Sequence, residues 1–270
     1  MRTSVVIAGA NAPANAFVVW RGYEESIAKA RAYDYDGVEL ALGAASDIDM
    51  QDVDHVLDQY GIQVSCISTG LTYAQRGLYM TSTDAEIRAG AINAISSLIR
   101  LAEHHGGLVT LGRVRGYVAP GQDRREAELL LSEGLQKLHK EATERGVWLA
   151  IEPINRYESN FLNSLDEAGN FVRSLGLSNV GVMADLFHMN IEDADIGKAI
   201  ERNRDILRHV HIADSNRLAP GMGHTDITGA IGTLRSIGYD RWLSAEILPG
   251  NSPDRMALAA SKAMRTMINM

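Results

Sequence analysis

Cysteine is almost missing from this chain: Cys66 is the only one in 270 residues. A lone cysteine excludes an intramolecular disulfide and any thiolate cage for a metal, and it fits a reducing, cytoplasmic setting. Basic runs are missing too. Asp and Glu number 34 against 26 Lys and Arg, a formal charge of −8, so a nucleic-acid backbone, which needs clustered cations, is not the expected partner. No apolar run approaches the roughly 20 residues that a membrane-crossing helix needs. The first residues, MRTSVVIAGA, lack the charged head and long apolar stretch of a secretory signal. Linkers and low-complexity tracts are also lacking, so one domain over residues 1–270 is expected.

What is present is a regular alternation. Short apolar strands are expected at Ser4–Ala10, Gly37–Leu42, Ile62–Ser68, Leu108–Val114, Val147–Ile151, Val180–Asp185, Val210–Asp214 and Trp242–Ile247. Helical periodicity falls between them, at Gly22–Ala32, Asp49–Tyr60, Thr83–His105, Asp123–Arg145, Ser164–Leu175, Asp193–Asn203, Ile227–Ile237 and Ser252–Ile268. TDAE offers Thr83 as an N-cap with Glu86 closing a capping box, SLDE repeats the pattern at Ser164, and Gly61 is a helix stop. The stretches Thr69–Ser82 and Ser215–Asp226 read as loops. Strands alternating with helices give a parallel sheet, and eight units close it into a single (β/α)8 TIM barrel. A doubly wound sheet would need fewer units and usually a Gly-rich turn after the first strand; AGANAPANA has no G-x-G-x-x-G spacing.

Four of these strands carry a residue that an apolar strand should not. Glu152 follows VWLAI, Asp185 ends VGVMAD, His211 sits in VHIAD and Glu246 in WLSAEI. A buried carboxylate is costly unless paired or bound to a metal. Each residue taken alone has an ordinary explanation as a satisfied rim group. Four at equivalent positions on successive strands, at the barrel end where function resides, point to one shared cation. Three carboxylates and one imidazole suit Mn²⁺, with Mg²⁺ or Co²⁺ as alternatives and Zn²⁺ less indicated.

Other residues divide between site and scaffold. Arg113 and Arg115, in LGRVRG, share a face by alternation and are candidates to hold a phosphate or carboxylate, or a solvated rim pair. His209 shares the strand face of His211 and reads as the deeper, structural member of the pair. His224, in the loop after the seventh strand, is a substrate contact or a loop polar group. Cys66 reads as a small core residue, and Phe17 and Trp20 as an apolar wall or simple packing.

EPINRYES, ADLFHMNIED, HIADSNRLAPGMGHTD and the strand-eight Glu of WLSAEIL resemble the xylose isomerase-like superfamily of sugar isomerases and epimerases, most closely the ketose 3-epimerases of the tagatose/psicose type. The resemblance implies metal ligation by Glu152, Asp185, His211 and Glu246, and substrate contacts from Glu158, His188 and Arg217. It also implies a small-molecule sugar substrate and a homo-oligomer, dimer or tetramer. The implied chemistry is proton abstraction beside a carbonyl through a metal-stabilised enediolate, with Glu152 and Glu246 alternating as base and acid on the two faces. The first loop (Asn11, Pro13, Asn15), the GMGHTD segment and Arg113 depart from the free-sugar pattern, so the resemblance reaches the metal and proton chemistry rather than one sugar. A lyase acting on a keto-sugar or keto-glycoside by β-elimination is the alternative on the same site. A three-zinc nuclease of the same superfamily is opposed by the acidic charge and the lack of strand-end histidines in the first half. A non-catalytic barrel is opposed by the four occupied ligand positions.

Overall fold

A computed structural model describes all residues, Met1–Met270. The strands are β1 (Arg2–Ala8), β2 (Trp20–Arg21), β3 (Gly37–Ala41), β4 (Gln63–Ser68), β5 (Leu108–Leu111), β6 (Trp148–Ile151), β7 (Val180–Asp185), β8 (Leu207–Ile212) and β9 (Trp242–Ala245). The helices are α1 (Tyr23–Ala32), α2 (Met50–Tyr60), α3 (Gly70–Arg76), α4 (Ala85–Ala102), α5 (Arg124–Glu144), α6 (Leu165–Leu175), α7 (Leu186–Glu192), α8 (Ile196–Arg202), α9 (Ile227–Ser236) and α10 (Pro253–Asn269). All strand pairings are parallel, and β1 pairs with both β3 and β9, which closes the eight-stranded barrel. The two-residue β2 adds to β1 at the Ile7–Trp20 register. No helix is long and apolar enough to cross a membrane.

The burial follows from this closure. Helices cover the outer faces of the strands, so β3 and β7 are buried along their whole length, as near-continuous apolar strands must be. Each helix contributes one stripe: α6 buries Leu165, Ala168, Gly169 and Val172, the 3–4 spacing of a single helical face. The largest apolar cluster, 61 buried residues, fills the layer between sheet and helices. Inside the barrel the apolar content is small: Cys66, Leu108, Ala150 and Met183 form a plug. Above that plug β6 to β9 lead into polar groups, while β1 and β3 keep the apolar Val6, Ala8 and Ala41 on the opposite side of the cleft.

Local chemistry sets the element ends, in places differently from the sequence reading. Helix α4 starts one residue later than TDAE suggests, because Asp84 rather than Thr83 is the N-cap and its carboxylate accepts from the Glu86 N–H at 2.8 Å. Ser164 does cap α6, accepting from the Glu167 N–H at 3.2 Å, and Gly61 ends α2 in the left-handed region at φ 62°. Strand β5 stops at Leu111 rather than Val114, since Arg113–Arg115 coil into a 3-10 turn. Strand β8 begins at Leu207, earlier than Val210, and takes in the charged Arg208, whose guanidinium lies 3.6 Å over the Trp148 ring. The expected loop Thr69–Ser82 contains α3, and the expected helix Asp193–Asn203 shortens to α8 behind an additional helix, α7, that springs directly from Asp185.

Candidate metal and active site

The barrel register decides which side chains meet. Asp185 pairs with His211 across β7 and β8, and His211 pairs with Ser244 on β9, two residues before Glu246 on the same face. Glu152 follows Ile151 at the end of β6. One ligand atom from each of Glu152, Asp185, His211 and Glu246 lies within 4.8 Å of the others. His211 Nδ1 is 3.6 Å from Glu152 Oε1, 3.7 Å from Asp185 Oδ2 and 3.5 Å from Glu246 Oε2. These separations are too long for good hydrogen bonds, and Nδ1 is buried with no partner. An unpartnered imidazole nitrogen facing three carboxylate oxygens is a donor set that fits a hard divalent cation. Gly112 keeps the approach open: a Cβ there would stand 2.5 Å from Glu152 Oε2.

Below this cluster lies a residue that the sequence reading passed over. Glu39, on β3, is completely buried. Its carboxylate accepts from His209 Nε2 at 2.9 Å and from His211 Nε2 at 3.0 Å. That contact fixes the hydrogen of His211 on Nε2 and turns the Nδ1 lone pair toward the three carboxylates. The signal was available, since GVELAL has the same apolar-strand-with-Glu form as the other four. Glu39 was missed because it lies in mid-strand, away from the functional end.

The electrostatics agree with this arrangement. Burial works against the Glu39 carboxylate, but the imidazoles of His211 and His209 outweigh it and hold the carboxyl well below the ordinary range. Burial likewise opposes a charged His211, yet Glu39, Asp185 and Glu152 raise it well above an ordinary imidazole. The pocket therefore draws positive charge to one point between the carboxylates. His209 goes the other way, because there burial prevails over Glu39; it stays deep and structural, 3.5 Å from Cys66 Sγ. Burial pushes the Cys66 thiol up, leaving an inert core residue.

Around the cluster, side chains are held by one another. Asp185 divides its oxygens: Oδ1 caps α7 by accepting from the Phe187 N–H at 2.8 Å, while Oδ2 faces the cluster. Asn155 donates to His188 Nδ1 at 2.7 Å and to Glu158 Oε1 at 2.9 Å, so His188 carries its hydrogen on Nε2, 3.7 Å from Asp185 Oδ2. Burial lowers His188, in keeping with a neutral ring. Arg217 donates to Asp185 Oδ2 and Glu246 Oε2 and is stacked between Phe17 and Phe187, 4.2 and 4.6 Å from their ring centres. Its backbone sits in the left-handed region, φ 58°, and its Nε and Nη1 are buried without partners. Strain and unsatisfied donors at one residue mark a position retained for something beyond packing.

Glu152, His211, Glu246, His188, Glu158, Arg217, Arg113 and Phe17 all line one cleft at the mouth of the barrel. One expectation fails, and two further residues lie outside the cleft. Arg113 and Arg115 do not share a face, because the 3-10 turn breaks the alternation. Arg113 is exposed over the Tyr73 ring, whereas Arg115 is buried and donates to the carbonyls of Glu152 (2.8 Å), Gly116 and Leu162. His224 is exposed and outside the cleft, with its N–H donated to Ser215 Oγ. Trp20 does not line the cleft and takes the packing role: it is buried, with Nε1 donated to Asp254.

Comparison with known proteins bears on the whole of this arrangement. Residues 27–267 match the family model described as xylose isomerase-like TIM barrel. An L-ribulose 3-epimerase of Mesorhizobium japonicum is 29% identical over 228 residues, covering 83% of this chain and 74% of that one. A D-psicose 3-epimerase of Enterocloster bolteae is 30% identical over 224 residues, covering 80% and 74%. A solved structure of L-ribulose 3-epimerase superposes with a TM-score of 0.81 at 25% identity, over 98% of this chain and 94% of that one. The closed parallel barrel, the polar cluster at its mouth and these matches together show that the chain belongs to the xylose isomerase-like TIM barrel family.

Proposed function

We propose that Glu152, Asp185, His211 and Glu246 hold one divalent cation, Mn²⁺ by the balance of the donor set, and that the chain inverts a carbon next to the carbonyl of a ketose or related keto-sugar. That the chain is a sugar isomerase or epimerase follows from its kinship with the 3-epimerases. The observation that carries the finer reading is the unpartnered His211 Nδ1 among three carboxylate oxygens. When bound, the cation supplies Lewis-acid stabilisation of negative charge on the substrate oxygens.

The chain's own residues do the rest. Glu152 and Glu246 come from β6 and β9, at the two ends of the ligand set, with Asp185 and His211 between them. Such a pair can face the two sides of a planar enediolate: one carboxylate removes the C–H proton and the other returns a proton to the opposite face. Arg217 offers Nε and Nη1, and His188 its Nε2–H, to oxygens on which charge develops. Arg115 anchors the backbone of Glu152, and Phe17 and Phe187 clamp Arg217, so the acting groups are held on rigid supports.

The test is hydrogen exchange in D₂O with Mn²⁺ and a panel of ketoses. Parent enzyme should wash deuterium into the carbon next to the carbonyl with inversion. Glu152→Gln and Glu246→Gln should each lose about 10²–10⁴-fold in rate. Exchange at the parent rate in either variant rejects the two-carboxylate scheme. Release of water or of an aglycone in the same assay would assign the site to elimination instead.

A further inference from the structure

The cleft does not end at its rim. Arg113, Ile154 and Glu158 form its outer wall, and the same three side chains begin a second cavity of about 330 Å³. That basin is walled by Tyr73, Tyr117 and Tyr157. Tyr73, Tyr79 and Tyr117 form one aromatic cluster: Tyr117 stacks on Tyr79 at 4.9 Å and meets Tyr73 edge-on at 6.5 Å. Tyr157 is 82% exposed, the most exposed large apolar side chain in the molecule, although it sits beside the site rather than on a remote surface. Arg113 lies over Tyr73, 4.9 Å from the ring centre, and has no carboxylate within ion-pair distance, unlike Arg156 of the same basin, which Glu192 holds at 2.8 Å. Rings and flat guanidinium groups on a concave wall are surfaces on which another ring stacks.

We infer that the basin is a subsite for a ring attached to the reacting keto-sugar, so that the preferred substrates are keto-sugars carrying a ring in glycosidic linkage. This rests on the epimerase reading above. A sugar seated between Glu152 and Glu246 meets Arg113, Ile154 and Glu158 at the outer wall, and a substituent directed past them enters the tyrosine-lined space. Both an aryl aglycone and a second sugar ring present the required flat face. The pocket walls favour no smaller group, because a methyl substituent would leave the tyrosines uncovered.

The experiment uses the full chain loaded with Mn²⁺ and compares methyl, phenyl and glucosyl derivatives of one 3-keto-glucoside in D₂O exchange. The phenyl or glucosyl compound should exceed the methyl compound in kcat/KM by at least tenfold, and which of them leads identifies the source of the ring. Tyr157→Ala and Tyr117→Ala should each collapse that ratio toward one while leaving the methyl compound unchanged. A ratio near one in the parent, or a ratio that survives both substitutions, overturns the subsite. If no compound and no free ketose exchanges, the epimerase reading itself fails. Calorimetric binding of methyl and phenyl β-glucoside to the loaded chain then still decides the subsite, since equal affinities refute it and tighter phenyl binding lost in Tyr157→Ala supports it.

Discussion

Replacing Glu39 by glutamine changes one charge and almost no volume, and it should loosen the cation site from below. In the parent, both carboxylate oxygens accept: one from His209 at 2.9 Å, the other from His211 at 3.0 Å. Glutamine has one carbonyl oxygen and one NH₂. The imidazole that meets the NH₂ must turn its Nε2 into an acceptor and carry its hydrogen on Nδ1. If that ring is His211, the hydrogen lands on the atom facing Glu152, Asp185 and Glu246, and the lone pair is lost to the cation. If it is His209, His211 keeps its tautomer but loses the anion that makes its ring basic. Outer partners of this kind are worth about 10–100-fold in metal affinity, or about 1.4–2.7 kcal/mol. Titration of Glu39→Gln with Mn²⁺ against a competing chelator, at about pH 7, should show that loss with the fold retained by circular dichroism. Glu39→Ala should do worse, because two fully buried imidazoles lose their shared anion, at a cost to folding of about 3–5 kcal/mol. Parent Mn²⁺ affinity in a folded Glu39→Gln protein would refute the claim that Glu39 orients His211.

Three further outcomes are expected. Gly112→Ala places a Cβ 2.5 Å from Glu152 Oε2, so the carboxylate must move; D₂O exchange should fall about 10²-fold. Arg217→Ala removes a cleft-lining guanidinium bonded to Asp185 and Glu246 and should lower kcat/KM about 10²-fold, measured by steady-state kinetics; unchanged kinetics would take Arg217 out of the site. Asp193 supplies the pH dependence. Burial raises its carboxyl to about 6, and one oxygen has no partner. Between about pH 4 and 6 the folded chain therefore binds more protons at this group than the unfolded chain does, so stability falls as pH rises through that window. Asp193→Asn should be more stable than the parent at pH 7, by about 1–2 kcal/mol after allowance for partial exposure, with the gain gone below about pH 4. Denaturant melts at the two pH values check it, and a pH-independent difference would contradict the cause given.

Much of this molecule is legible in its primary structure. The barrel follows from eight apolar runs alternating with amphipathic stretches, because period-two and period-3.6 burial leaves few ways to cover both sheet faces. Glu152, Asp185, His211 and Glu246 stand out because a carboxylate in an apolar strand is an energetic anomaly visible without coordinates. Element ends were less legible. Arg208 disguised the start of β8, and α3 and α7 lie where loops or nothing was expected, since short helices owe their existence to packing rather than to propensity.

Only the tertiary structure decided which polar groups share a point in space. Strand register brings Glu39 from the second barrel strand against two histidines of the seventh, a pairing separated by 170 and 172 residues that no local pattern encodes. The 3-10 turn after β5 separates Arg113 from Arg115, sending one to the rim and the other beneath Glu152, where alternation had put them together. Sequence thus determined what each strand carries, because burial is a local energetic property. The closure of the barrel determined what those residues face, because register and twist are set by all the strands at once.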